Sequence, residues 1–231
     1  MVDWNVNRIL NLFKFLLRQN QSGSISTTDF FNAWNTEQNA YHSDLLGNWE
    51  RMSNGKSGAN TGLIMNETIM TQLAPFTIAG SVAISSGQAT KPDDFIYGLA
   101  RRLELNGDEF LVTKINHGQK WYVNNDVIDP PSVTDNSYYI IEYEDYYEVL
   151  PTTATGNLQL DYIAKPDNIS WGFTYDSNNR PVYNSGLSVQ PKWSDPTILT
   201  ITKRALANFG VSYKDKDFTN FAKSNIATGD S

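Results

Sequence analysis

Hydrophobic positions follow a helical rhythm at both ends of the chain and a strand rhythm between them. Trp4, Ile9, Leu12, Phe13, Leu16 and Leu17 fall near i, i+3, i+4 spacing with Asn, Arg and Lys between them, which predicts a helix over 4–18. Gln19-Asn20-Gln21-Ser22-Gly23 stops it, and Ser26-Thr27-Thr28-Asp29 offers N-cap oxygens for a second helix. There Phe30, Trp34, Tyr41, Leu45 and Trp49 make one stripe, with Glu37, Gln38 and Asp44 off it, and the end is expected near Arg51. Leu63, Ile64, Ile69 and Leu73, stopped by Pro75, predict a third and shorter helix.

From Phe76 the period changes. Thr77–Ser85 alternates and ends at Gly87, as a strand should. Asp94–Leu105 is ambiguous: Phe95, Leu99 and Leu103 suit a helix, but Ile96 and Tyr97 break the stripe. Asn106-Gly107 signals a hairpin, followed by strands over 109–115 and 119–123, and Pro130-Pro131 marks a boundary. Tyr138–Leu150 and Asn157–Ala164 are aromatic and β-branched and read as strands paired around Thr152–Gly156. Trp171–Tyr175 and Val182–Tyr183 flank turn residues and predict another hairpin. After Pro196 the helical period returns through Ile198, Ile201, Ala205, Leu206 and Phe209, and a last helix is expected over Asp215–Ile226.

The expected fold class is therefore α+β. A helical core from both chain ends carries an inserted antiparallel β-rich domain, with residues 1–75 as N-terminal helical part, 76–190 as insertion and 191–231 as C-terminal helices packing on the first part. With 40% hydrophobic residues and 13% aromatic ones, a disordered chain is excluded. The formal charge of −7 makes phosphate-backbone affinity a poor expectation. Asn occurs 24 times, which favours turns and surfaces that meet partners through uncharged hydrogen bonds.

Cys is absent and His numbers 2, so no disulfide framework exists, and neither a metal site nor a cofactor is expected. The stretch Val2–Gln21 is too polar for a bilayer core and lacks the order of a signal peptide, so a soluble protein without membrane association is expected. Gly55-Lys56-Ser57 resembles the end of a phosphate-binding loop, but the position of that motif's first Gly holds Glu50, inside an amphipathic helix. The stretch Asn54, Gly55, Lys56, Ser57, Gly58 and Asn60 instead reads as an intersubunit or partner-facing loop. Glu142, Glu144 and Asp145 sit among tyrosines. On one strand face Glu142 and Glu144 would stand about 7 Å apart, within the about 5–9 Å that sugar hydrolysis needs. A solvated strand face shows the same spacing, and these three are expected to line a lumen or an interface. His42 and His117 are the only histidines, and no Ser sits in a nucleophile elbow, so no enzyme is expected.

Phe15-Leu16-Leu17-Arg18-Gln19-Asn20-Gln21-Ser22-Gly23-Ser24-Ile25-Ser26, then Asp29–Asn35 and Ser53–Ile64, resemble structural proteins of tailed bacteriophages, the crAss-like podoviruses in particular. So do Asp129-Pro130-Pro131-Ser132, Tyr147–Pro151, Leu160–Pro166 with Trp171 beyond, and Thr202–Leu206 to Gly210-Val211 and Asp217-Phe218. The similarity runs along nearly the whole chain and names no catalytic residue. It implies a head–tail connector, a ring or portal adaptor of the virion, assembled in the host bacterial cytoplasm. Its partners would be the portal protein, neighbouring ring or tail proteins and further copies of itself in a twelvefold ring. DNA would pass the channel without sequence-specific binding, which the acidic balance suits. A tail-associated protein that binds or hydrolyses glycans is the alternative.

Overall fold

A computed structural model of the chain describes residues 4–19, 26–53, 67–105 and 107–209. It holds both helices and sheets, and it divides into two compact units, one of residues 1–75 with 166–231 and one of residues 76–165.

The first unit is built on helices. In α1 (Val6–Gln19), Asn5 Oδ1 accepts the Arg8 amide at 2.9 Å, and the period-3.6 stripe buries Val6, Ile9, Leu10, Leu12, Phe13 and Leu16. In α2 (Thr27–Ser53), Ser26 accepts the Asp29 amide at 3.0 Å, so the cap expected from the sequence is made. Its buried face differs from the expected stripe. Phe30, Phe31, Trp34, Leu45 and Leu46 are buried, and so are the polar Gln38 and His42. Gln38 lies within the core because it is fully used: it donates to the Asp167 carbonyl at 2.9 Å and accepts from Trp193 Nε1. A helical segment over 67–73 (α3) buries Ile69 and Leu73. The last described helix is α5 (Asp195–Ala207), with Pro in its first turn and Ile198, Ile201, Thr202, Ala205 and Leu206 buried.

Side chains from the two ends of the chain meet in this unit. Trp34 Nε1 donates to Thr202 Oγ1 at 3.0 Å, Phe13 stacks on Phe30 with centroids 3.9 Å apart, and Phe209 lies 6.4 Å from Phe13. Arg204 reaches Asp44 at 3.0 Å.

Residues 166–190 were expected in the β insertion, and they belong instead to this helical unit. Amide side chains of the helices hold the returning backbone. Asn35 accepts the Ile169 amide at 2.9 Å and donates to the Ile169 carbonyl at 3.1 Å. Asn7 accepts from Trp171 Nε1 at 3.2 Å, and the Val6 amide donates to Gln190 at 2.9 Å. Strands β9 (Phe173–Tyr175) and β10 (Pro181–Tyr183) pair here as a two-stranded antiparallel hairpin.

The second unit contains two four-stranded sheets. One has the order β1-β8-β3-β4, from β1 (Thr77–Ile84), β8 (Gly156–Ala164), β3 (Phe95–Leu105) and β4 (Asp108–Leu111). The other has the order β2-β7-β6-β5, from β2 (Gln88–Thr90), β7 (Tyr146–Leu150), β6 (Tyr139–Glu142) and β5 (Thr113–Ile115). Leu103, Leu158, Leu160 and Tyr162 of the first sheet share one buried cluster with Ala89, Ile140, Tyr147 and Val149 of the second. Burying both inner faces against each other is the usual solution for two half-apolar sheets.

One ambiguity is resolved and three expectations are corrected in this unit. Asp94–Leu105 is one long strand, and register shifts at Phe95/Tyr97 and Gly98/Ala100 break the period that made it ambiguous. The segment 119–123 is helical: Asn116 and Gln119 form a capping box on the 3-10 turn His117–Gln119, which runs directly into α4 (Lys120–Asn124). Tyr138–Leu150 is not one strand paired with 157–164. The chain turns at Tyr143, whose amide donates to the Tyr146 carbonyl, so β6 and β7 pair with each other while β8 lies between β1 and β3. Nor is the insertion wholly antiparallel, since β5 and β6 run parallel.

Candidate interaction surfaces

The parallel pairing of β5 with β6 has a local consequence. Parallel neighbours cannot be joined by a tight turn, so a long connection must run between Ile115 and Tyr139. That connection carries α4 and then a loop of defined shape. Asp126 Oδ1 accepts the Ile128 amide at 2.8 Å and the Asp129 amide at 3.3 Å, an Asx turn, and Ser132 and Ser137 exchange backbone hydrogen bonds at 3.0 Å. Held this way, Val127 and Ile128 are each 95% exposed, beside Trp121 and Tyr122 at 68% and 70%. Four large apolar side chains are thus exposed along this connection, two on α4 and two on the ordered loop after it, where Asp126 and Asp129 flank the Val-Ile pair. Exposed apolar side chains of this kind mark an interface. The sequence reading missed it. The available signal was a Val-Ile pair enclosed by turn-forming aspartates, belonging to no helical or strand stripe.

A second exposed apolar surface lies in the first unit, on the β9–β10 hairpin. Trp171 and Phe173 stack with centroids 5.3 Å apart, and Tyr175 meets Phe173 edge-on at 5.4 Å. Phe173, Tyr175, Val182 and Leu187 are all exposed. Lys14 Nζ lies 6.0 Å from the Trp171 ring, and Arg180 stands in the turn, where Asp176 Oδ1 accepts the Asn178 and Arg180 amides.

The acidic residues expected to act together are separated by the β6–β7 turn. Glu144 and Asp145 are exposed at its tip. Glu142 points between the sheets, where Lys114 Nζ at 2.6 Å, Arg101 at 3.0 Å and Lys91 at 3.1 Å surround its carboxylate and Tyr147 donates to it. Burial pushes the Glu142 carboxyl up, but hydrogen bonds from Lys114 and Lys91 and the charge of Arg101 outweigh it and hold it at about 2. Lys91 and Arg101 also lie over the Tyr147 ring at 4.9 Å and 5.1 Å, and burial pushes that phenol up to about 12. Glu142 is thus answered by three cations of its own chain.

Around this network lie two open clefts. One, of about 510 Å³, is lined by Lys114, Asn116, His117, Gln119 and Glu142. The other, of about 390 Å³, is lined by Thr90, Lys91, Asp93, Phe95, Glu144 and Asp145. His117 stands edge-on to Tyr143 at 4.5 Å, and Tyr143 donates to Glu148, which also holds Lys120 at 2.8 Å. The hydrogen bond and charge of Glu148 raise the Lys120 ammonium, which stays a cation. An ionised Glu142 cannot serve as a general acid near neutral pH. Among the described residues no three His, Asp or Glu side chains are grouped to hold a metal ion. His42 is buried beside Trp193 at a ring distance of 6.1 Å, and burial lowers its imidazole to about 4.

The loop Asn54, Gly55, Lys56, Ser57, Gly58 and Asn60 lies outside the described residues, as does the helix expected over 215–226. No described helix is long and apolar enough to cross a membrane. Set against known protein families and curated protein sequences, the chain matches no family model and no curated sequence.

Proposed function

We propose that the chain is a structural component of a tailed-phage virion, a head–tail connector ring or adaptor that docks on the portal and extends the DNA channel. In this reading the helical core contributed by both chain ends is the body of the subunit, and the β unit with its long β5–β6 connection is the part that reaches a neighbour. The observation that carries it is the pair of exposed apolar surfaces. A Val-Ile pair exposed at 95% is held in place by an Asx turn and a backbone clasp, so the loop is ordered for contact instead of folded away. The formal charge of −7 lets DNA pass without adhering. In the glycan-hydrolysing alternative Glu142, which three cations keep ionised, could act only as the base or nucleophile and would need a separate protonated carboxyl as acid.

Disruption of the gene in the producing phage tests this. The expected result is DNA-filled heads without tails, restored to infectious particles by the wild-type protein supplied in trans. Normal tailed particles from the disrupted phage would end the connector reading.

A further inference from the structure

We propose that the chain binds a second copy of itself head to tail, the apolar loop around Trp121 and Val127–Ile128 of one copy seating on the aromatic β9–β10 hairpin of the next. This deepens the ring reading above and rests on it for the purpose of the contact. Both surfaces expose large apolar side chains that their own units leave uncovered. Their charges lean in opposite directions. On the loop, Lys120 is held by Glu148, so the residues beside the apolar group that keep a net charge are Asp126 and Asp129. On the hairpin, Asp176 keeps its charge while accepting turn amides, as Asp126 does on the loop, but Lys14 and Arg180 outnumber it and the lean is positive. Loop against loop would set acid on acid, and hairpin against hairpin would set base on base. Loop against hairpin pairs apolar with apolar and acid with base, and opposite charge across a contact selects register and partner.

Other occupants fit less well. The acidic loop is repelled by anionic membranes and by nucleic acid. A contact between two different patches of one chain is heterologous and therefore propagates into a ring or a filament.

The experiment uses the full chain and two double variants, Val127→Asp/Ile128→Asp on the loop and Phe173→Asp/Tyr175→Asp on the hairpin. Sedimentation equilibrium follows each alone and the two mixed. The wild type is expected to self-associate, and each variant alone to do so about thirtyfold more weakly, the effect of losing one contact anchor. Each variant retains one intact surface, so the mixture is expected to form a one-to-one pair and nothing larger. Circular dichroism checks folding, and Val127→Ser/Ile128→Ser replaces the loop variant if the aspartates unfold it. A wild type that stays monomeric, variants that associate like the wild type, or a mixture that does not pair would each overturn the proposal. If the contact fails while the chain still enters virions, the connector reading stands without it.

Discussion

The indole Nε1 of Trp34 donates to Thr202 Oγ1 at 3.0 Å, joining α2 to α5 through two fully buried side chains. Thr202 in turn donates to the Ile198 carbonyl at 2.8 Å within its own helix. Replacing Thr202 with Val keeps the volume but leaves the indole N–H buried and unanswered. The expected loss is about 1–3 kcal/mol of stability in the helical unit, read from chemical denaturation. Trp34→Ala removes the whole ring and is expected to cost about 3–5 kcal/mol. An unchanged midpoint for Thr202→Val would mean the hydrogen bond contributes nothing.

Glu142 and Glu144 are two residues apart and are expected to behave differently. Glu142→Gln leaves Lys91, Arg101 and Lys114 facing one another without their shared counter-charge, which should destabilise the β unit by about 2–3 kcal/mol. Glu144→Gln, at the exposed hairpin tip, should stay within about 0.5 kcal/mol of wild type. Urea melts of the two single variants make the comparison, and equal midpoints would contradict the network.

Acid should weaken the two units in different windows. His42 has its folded pKa lowered to about 4 from 6.5, so below 6.5 the unfolded chain takes up a proton that the folded one refuses. Stability of the helical unit should fall between pH 6.5 and 4, by up to about 3 kcal/mol. The Glu142 contribution, with its folded pKa lowered to about 2 from 4.5, is present above 4.5 and lost as pH falls toward 2. Amide hydrogen exchange across a pH series, resolved by peptide, should show 30–46 losing protection before 139–150. His42→Gln should flatten the first window only.

Gly156 opens β8 at φ +145°, beside the Glu104 carbonyl. A Cβ there meets both an unfavourable backbone region and the neighbouring strand. Gly156→Ala is expected to cost about 2 kcal/mol or more, whereas Gly47→Ala, on an open helix position, should be neutral or slightly stabilising. Thermal melting of the two variants would separate them.

Much of this architecture is readable before folding, because the signals for it are local. Helical spacing of Ile9, Leu12, Phe13 and Leu16, the Asn5 and Ser26 side chains that cap α1 and α2, and alternation from Thr77 onward all act over a few residues. They determined which segments are helix and strand at the two ends, and that the class is α+β. Tertiary structure alone decided the rest. Gln38 reads as a surface residue until the Asp167 carbonyl and Trp193 supply its partners from about 130 and 155 positions away. Periodicity gives Glu142 and Glu144 the same face, but the turn at Tyr143 separates them, and the cations that hold Glu142 come from β3, β5 and the loop after β2. The exposed loop exists because β5 pairs parallel to β6 and a parallel pair needs a long connection. Strand alternation specifies which residues share a face. It carries no information about which strand lies alongside, since that depends on contacts between residues far apart in sequence.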